Sequence, residues 1–147
     1  ISNLHANNFV FLGAKTEEEL IFRNIFQGVT ILTTEQESRA DEVGYVTDAF
    51  EKTLCWKSHH LQRVVACGPM PMLKEVVRMT DKKGFPDEDV FLIVEPYMKC
   101  GVGICGCCSF EDGSVSCVDG HILTADRFKE FYQKGKMKRD ACGGWEK

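Results

Sequence analysis

The sequence predicts an α/β fold in which helices flank a parallel sheet, followed by a small carboxy-terminal lobe. Short apolar runs alternate with amphipathic segments as far as Pro96, a pattern typical of parallel strands joined by helices. Beyond Pro96 this alternation stops, and five cysteines crowd the stretch from Cys100 to Cys117. The predicted division is therefore a first domain over residues 1–96 and a second over residues 97–147.

The first predicted strand is residues 9–12, a short apolar run that ends at Gly13. A helix is predicted over residues 17–26, because its apolar positions fall on one helical stripe and acids follow Thr16 as in a capped start. Those apolar positions are Leu20, Ile21, Ile25 and Phe26. The second strand is predicted at residues 29–32.

The later elements repeat the same alternation of strand and helix. In order, they are a polar loop over residues 33–42, a helix over 47–54, a strand over 63–67, a helix ending near 79, and a strand over 90–94. Gly68 and Pro69 separate the third strand from its helix. Within the second domain, residues 124–132 have the periodicity of a helix.

The cysteines carry the clearest chemical signal. Cys100, Cys105, Cys108 and Cys117 have the spacing C-x4-C-x2-C-x8-C, whose opening is that of a plant-type [2Fe–2S] site. The glycines among them suit a loop that turns its amides toward sulfur. Residues 109–116 predict a short hairpin that turns at Asp-Gly and returns the last cysteine to the loop.

Two other readings of these cysteines remain open. A structural zinc site could use four thiolates, although zinc ribbons favour paired C-x2-C units and only Cys105 and Cys108 show that spacing here. Disulfides would need an oxidising compartment. Cys107 is interpreted as a bystander that could substitute for a ligand if the cluster rearranges.

Polar segments follow three of the predicted strands, at residues 13–16, 33–35 and 67–70. Each alone is an ordinary strand-to-helix loop. Carboxyl ends of parallel strands form the crevice in which open α/β sheets bind ligands. Three such segments together, followed by a redox-metal motif, favour a nucleotide site.

Composition excludes several classes of function. The net charge of −4 argues against nucleic acid as a partner, and the basic run at residues 134–139 has the character of a solvated tail. No apolar stretch approaches the ~20 residues of a membrane span, and no signal-peptide pattern is present. A cytoplasmic location is therefore predicted, in which the eight cysteines serve as metal or redox ligands.

Several motifs give the sequence a family resemblance. Residues 44–48 (GYVTD) and 67–72 (CGPMPM) resemble the nicotinamide-binding half of ferredoxin reductase-like flavoproteins. Residues 98–108 and the CVDG at 117–120 extend the resemblance to electron-transfer subunits of NAD-linked dihydroorotate dehydrogenases, as does the tail at 138–143. Small subunits of NAD(P)H-linked hydrogenases and ferredoxin–NADP transhydrogenases are related. The transhydrogenase pattern has an aspartate in place of the first cysteine, which Cys100 does not match.

The resemblance implies a redox function and a larger protein. It implies electron transfer between NAD(P)H, FAD and a [2Fe–2S] cluster, with a catalytic oxidoreductase subunit as partner. It also implies an amino-terminal flavin-binding barrel and a first strand that would precede Ile1, so the chain is interpreted as a carboxy-terminal fragment that is inactive alone. His121, where the family commonly has proline, and the Val-Glu-Pro at residues 94–96 depart from the family pattern.

The resemblance also assigns residues to the cofactors. The cluster ligands would be Cys100, Cys105, Cys108 and Cys117. Lys15 would contact the adenosine-side ribose or phosphate, Thr33 and Thr34 would hydrogen-bond along the nucleotide, and Gly68 and Pro69 would lie at its nicotinamide end. Cys67 would face the nicotinamide or be a buried strand-end thiol, and Glu95 would lie near the flavin or be an exposed loop acid. The alternative of another class is a zinc-binding assembly module.

Overall fold

The computed structural model describes residues 9–21, 25–26, 29–36, 40–57 and 63–133. The chain divides into two compact units, Ile1–His60 and Leu61–Lys147. These units are defined by compactness. The predicted domains, residues 1–96 and 97–147, are defined instead by the cofactor that each would bind, and they stay a prediction. The basic run at 134–139 and the tail at 138–143 lie outside the described residues.

The first unit contains a three-stranded parallel sheet in the order β1-β2-β3. Its strands are β1 (Phe9–Ala14), β2 (Val29–Thr34) and β3 (Glu42–Val43). Helix α1 (Val46–Lys57) packs on this sheet, with the Phe11 and Phe50 rings meeting edge to face at 5.6 Å. The strands predicted at residues 9–12 and 29–32 and the helix predicted over 47–54 are thus confirmed, with slightly longer bounds, whereas β3 was not predicted and begins at the end of the predicted polar loop.

The helix predicted over residues 17–26 is wrong within the described residues. The chain forms one 3-10 turn, Glu17–Glu19, and leaves helical geometry at Leu20, where φ is −73° and ψ is 88°. Leu20 is buried, whereas the Ile21 and Ile25 side chains are 62% and 57% exposed. Ile21 and Ile25 of the predicted stripe are therefore not packed against the sheet, and helices of this length depend on such packing for stability.

The second unit contains a mixed sheet in the order β4-β5-β6. Strands β4 (Val64–Cys67) and β5 (Val90–Ile93) pair in parallel, as predicted, and β6 (Ile122–Thr124) adds an antiparallel edge to β5. Strand β6 is absent from the predicted elements, and the two observed sheets replace the single parallel sheet that was predicted. The pattern of β6 is too short to detect, since Leu123 is its only fully buried residue and the preceding Ile122 is exposed.

Within residues 63–133, the second unit also contains the α-helices α2 (Met70–Lys82), α3 (Ser116–Asp119) and α4 (Ala125–Gln133) and a 3-10 turn, Asp87–Asp89. Pro69 is the N-cap of α2, which suits a residue that cannot donate a backbone hydrogen bond. The buried residues of α2 recur at helical spacing and are Leu73, Val76, Val77, Met79 and Thr80. With Leu92 of β5 and Phe128 and Phe131 of α4, they form the core of this unit.

Candidate functional site

The loop from Cys100 to Cys108 owes its shape to its glycines. Gly101, Gly103 and Gly106 have φ angles of 71°, 78° and 67°. These left-handed conformations are costly for residues that carry a Cβ atom. The sequence pattern of glycine beside cysteine therefore specifies the loop geometry directly, as the sequence analysis expected.

The loop directs backbone amides toward the sulfur of Cys100. The amide of Cys105 donates to Cys100 Sγ at 3.4 Å, and the amides of Val102 and Ile104 also favour its thiolate. These donors, with the Cys105 amide contributing most, lower the pKa of the Cys100 thiol from 9.0 to about 6. Hydrogen bonds to the charged form favour the thiolate, which is the form that binds metals.

Cys117 reaches the same loop through a hairpin. Ser109 and Val115 form an antiparallel bridge, and Gly113 makes the turn with a φ of 84°. Asp119 Oδ2 then accepts a hydrogen bond from the Val115 amide at 2.6 Å, which stabilises the short helix α3 that contains Cys117. The hairpin predicted over residues 109–116 is confirmed, except that α3 begins at Ser116.

The hairpin places Cys117 beside the glycine loop. The Gly103 amide donates to Cys117 Sγ at 3.2 Å. The side chain of Val118 lies against the same glycine, because an ideal Cβ on Gly103 would be 2.8 Å from Val118 Cγ2. The structure thus brings the fourth cysteine of the motif to the loop that contains the first three.

The thiols of the motif associate in pairs. The Cys100 side chain hydrogen-bonds to that of Cys105, and the Cys108 side chain to that of Cys117. The contact with Cys108 is the main reason that the pKa of Cys117 lies above 9.0. Among the described residues, no three histidine, cysteine or acidic side chains gather around a single metal position.

Cys107 contacts the same cluster of thiols. Its side chain hydrogen-bonds to Cys105, and this contact, followed by burial, raises its pKa above 9.0. Cys107 and Cys108 are buried, whereas Cys100 and Cys105 are exposed. The four predicted ligands and the fifth thiol therefore share one region of the second unit.

In the first unit, the structure places Lys15, Thr33 and Thr34 at the carboxyl ends of β1 and β2. Ala14 pairs with Thr34, so Lys15 is the first residue beyond the paired strands, and it is exposed. Both threonines are buried within β2 rather than in the predicted loop. Thr33 Oγ1 donates to the Leu12 carbonyl at 3.4 Å, and Thr34 Oγ1 donates to the Gln36 carbonyl at 2.8 Å. Their hydroxyl protons are thus used by the chain itself.

In the second unit, Cys67 and Glu95 lie at the carboxyl ends of the neighbouring parallel strands β4 and β5. Cys67 ends β4 opposite Ile93 of β5, and Glu95 follows two residues after Ile93. Cys67 is exposed, so the alternative of a buried strand-end thiol is wrong: its side chain points to the face of β4 opposite buried Val64 and Ala66. Glu95 is exposed, which leaves both of its predicted roles open.

Gly68 and Pro69 form the turn between β4 and α2. Pro69 is exposed at the start of the helix. An ideal Cβ on Gly68 would lie 2.5 Å from Met72 Cε, so a larger residue would displace the methionine. A glycine here keeps the backbone accessible at the strand end, the position assigned to the nicotinamide.

Sequence reasoning missed the side chains that fix the hairpin. Arg127 of α4 pairs with Asp112 at the hairpin turn, and Phe131 of α4 stacks on Phe110. These residues are 15 or more positions apart and belong to elements of different type, so no local spacing indicates their contact. Within the described segments, no helix combines the length and apolar composition that crossing a membrane requires.

The comparisons with known proteins agree on one group. No protein-family model matches the sequence. The chain is 38% identical over 135 residues, 90% of its length, to the probable electron transfer subunit of dihydroorotate dehydrogenase B (NAD(+)) of Methanocaldococcus jannaschii, and covers 50% of that protein. The corresponding protein of Methanothermobacter thermautotrophicus is 33% identical over 90% of this chain, which covers 48% of it. The chain is thus a homologue that spans about half the length of these relatives.

A solved structure extends the similarity to the fold. The structure of an NADH-dependent reduced ferredoxin-NADP oxidoreductase, studied for flavin-based electron bifurcation, superposes with a TM-score of 0.60 at 25% identity. The match covers 85% of this chain and 46% of that one. A mixed α/β architecture with parallel strands and helices, as predicted, is therefore shared with a redox flavoprotein. The comparison does not test the prediction that a first strand of the sheet would precede Ile1, and this stays a prediction.

Proposed function

We propose that this chain is the electron-transfer part of a multi-subunit oxidoreductase that moves electrons between NAD(P)H, FAD and a [2Fe–2S] cluster. The observation that carries this proposal is a glycine loop whose amides donate to the sulfurs of Cys100 and Cys117, in the region that also contains Cys105 and Cys108. The homologues named as electron transfer subunits support a dihydroorotate dehydrogenase subunit as the catalytic partner.

The cysteine pairs would divide the ligands between two irons. A [2Fe–2S] cluster takes two outer thiolates on each iron, so ligands in two pairs suit it better than four around a point. Cys100 and Cys105 would hold one iron, and Cys108 and Cys117 the other. The amides of Cys105 and Gly103 already face ligand sulfurs, and such hydrogen bonds tune the potential of a bound cluster. When bound, the cluster supplies single-electron transfer.

The strand ends provide the nucleotide contacts in this proposal. Lys15 is the exposed cation for the ribose or phosphate. Thr33 and Thr34, whose buried hydroxyls bond to the chain itself, shape the neighbouring strand end along which the nucleotide would lie. In the second unit, Cys67, Gly68 and Pro69 would face the nicotinamide, with Glu95 near the flavin.

FAD would be held mainly by the part of the relatives' length that this chain does not span. A protein of only these 147 residues is therefore expected to lack NADH-oxidising activity. Cytoplasmic location remains the prediction from cysteine usage. The carboxy-terminal iron–sulfur lobe is likewise part of the proposal.

Metal analysis and spectroscopy test the proposal. The intact protein, prepared without oxygen, should contain about two irons and about two sulfides per chain and give the electron paramagnetic resonance signal of a reduced [2Fe–2S] cluster. A colourless protein that holds zinc and no sulfide would instead support the assembly module. Identification of the co-purifying subunit tests the partner.

One observation favours a second candidate. The similar solved structure is a ferredoxin-NADP oxidoreductase, which supports a hydrogenase or transhydrogenase small subunit with the same cofactors. Cys100 distinguishes the candidates in part, because the transhydrogenase pattern has an aspartate there. Co-purification of a hydrogenase or transhydrogenase subunit, without a dihydroorotate dehydrogenase, would select this alternative.

A further inference from the structure

We propose that Arg127 is a positioning residue for the Cys108–Cys117 ligand pair, acting through Asp112 at the hairpin turn. This inference rests on the proposed [2Fe–2S] function and adds residues that no spacing or comparison assigns. We call Arg127, Asp112, Phe110 and Phe131 the brace, since they join helix α4 to the hairpin between the two cysteines.

The polar half of the brace fixes the turn. Arg127 Nη2 lies 2.5 Å from Asp112 Oδ2 and donates to Ser114 Oγ at 3.1 Å. Asp112 Oδ1 accepts hydrogen bonds from the Ser114 amide at 3.0 Å and from its hydroxyl at 2.6 Å. Both carboxylate oxygens are thus engaged, one within the turn and one with α4, so Arg127 holds a turn that Asp112 has already closed.

The apolar half of the brace holds the strand that precedes the turn. The Phe110 and Phe131 rings are parallel, with an interplanar angle of 1° and centroids 5.2 Å apart, and both side chains are buried. The Arg127 guanidinium lies 5.4 Å from the centroid of Phe131. Arg127 therefore contacts the hairpin turn and the aromatic ring that anchors the hairpin, which couples the two halves.

The hairpin sets the separation between the two ligands. Cys108 directly precedes Ser109, where the hairpin begins, and Cys117 follows Ser116 on its returning side. The Ser116 amide donates to the Cys108 carbonyl at 3.1 Å, and the Phe110 amide donates to the Ser114 carbonyl at 2.8 Å. Movement of the turn therefore changes the spacing of these two cysteines, whereas Cys100 and Cys105 belong to the glycine loop on the other side of the motif.

Exposure makes this inference testable without unfolding the protein. The side chains of Arg127 and Asp112 are 40% and 42% exposed. Ion pairs of this kind contribute little to global stability, so removal of the charge should leave the fold intact. Removal of the charge should instead change the geometry of the Cys108–Cys117 pair.

The experiment uses the intact protein prepared anaerobically. Arg127→Met and Asp112→Asn should each release iron to a chelator about three- to fivefold faster than wild type, and should shift the electron paramagnetic resonance g values of the reduced cluster. Arg127→Lys, which keeps the charge, should restore most of the retention. The control is Arg78→Met, because Arg78 pairs with Glu75 at 2.5 Å on α2, with similar side-chain exposure of 55% and 38%.

The outcomes separate this inference from the proposed function. If wild type holds the cluster and both brace variants match Arg78→Met in release rate and g values, Arg127 has no positioning role. Circular dichroism measures the folded fraction of each variant. If iron release is faster only in proportion to the loss of folded protein, the inference is also overturned. If wild type itself binds no iron under any anaerobic preparation, the proposed function fails, and the brace inference fails with it.

Discussion

The backbone amide of Gly103 donates a hydrogen bond to the sulfur of Cys117 at 3.2 Å, across 14 residues of sequence. This contact joins the glycine loop to the hairpin that delivers the fourth cysteine. It depends on a left-handed backbone at Gly103 and on the close approach of Val118 to it. The geometry of the whole site therefore depends on a residue that has no side chain.

Substitution of Gly103 should disturb the site more than substitution of Gly101. Both have positive φ, so alanine at either costs about 1 kcal/mol in backbone conformation. Only at Gly103 would the new Cβ also meet Val118 Cγ2, at 2.8 Å, whereas nothing lies within 4 Å at Gly101. Iron retention should fall in the order wild type, Gly101→Ala, Gly103→Ala, and Val118→Ala should partly rescue Gly103→Ala. Equal retention in the two glycine variants would contradict the steric argument.

Serine substitution should distinguish ligand from bystander cysteines. Serine at Cys100, Cys105, Cys108 or Cys117 should lower the iron content below about two per chain, because an alcohol is a weaker ligand for iron than a thiolate. Cys107→Ser should keep the cluster and serves as the matched control. Iron and sulfide analysis of anaerobic protein measures the effect. Loss of the cluster in Cys107→Ser alone would show that the ligand assignment is wrong.

The role of Lys15 is tested by steady-state kinetics of the intact protein. Lys15→Ala should raise the apparent KM for NAD(P)H about threefold to tenfold with little change in kcat, because a distant phosphate contact stabilises ground and transition states equally. Lys52→Ala is the control, since Lys52 pairs with Glu42 at 2.7 Å. A change confined to kcat would remove Lys15 from the nucleotide site.

Acid should release the hairpin turn. The pKa of Asp112 is below its ordinary value of 3.8, chiefly because the Ser114 hydroxyl donates to the carboxylate, with Arg127 also contributing. A pKa lowered by folding adds stability that is present above about pH 4 and is lost as the pH falls through the depressed value. Denaturant unfolding of cluster-free protein should therefore show wild type more stable than Asp112→Asn at pH 7 by only about 0.2–1 kcal/mol, the contribution of an exposed ion pair, with the difference shrinking as the pH falls through the depressed pKa. A difference independent of pH would mean that the charge of Asp112 does not stabilise the turn.

The elements that the sequence predicted well are those whose stabilising interactions are local. Strands β4 and β5 are short apolar runs, and α2 has buried residues at helical spacing between a proline cap and a glycine-ended turn. The cysteine loop is specified by glycines that adopt positive φ. In each case, the residues that determine the structure lie within a few positions of one another.

The errors occur where a distant surface determines the outcome. The stripe over residues 17–26 has helical spacing, yet only Leu20 finds a buried site and the chain makes a single 3-10 turn. Strand β6 forms because β5 has a free edge with which it pairs. Its three residues are too few to show the pattern of a strand in the sequence. The exposure of Cys67 likewise depends on which face of β4 is covered.

The sequence by itself predicted the ligand set and specified the loop that presents it, since spacing and glycine conformations act within a dozen residues. Only the tertiary structure decided which thiols pair, which amides reach their sulfurs, and that Arg127 and Phe131 of α4 hold the hairpin between Cys108 and Cys117. The physical reason is that these contacts join residues whose proximity results from folding of the whole second unit, and no local pattern of residues encodes that proximity.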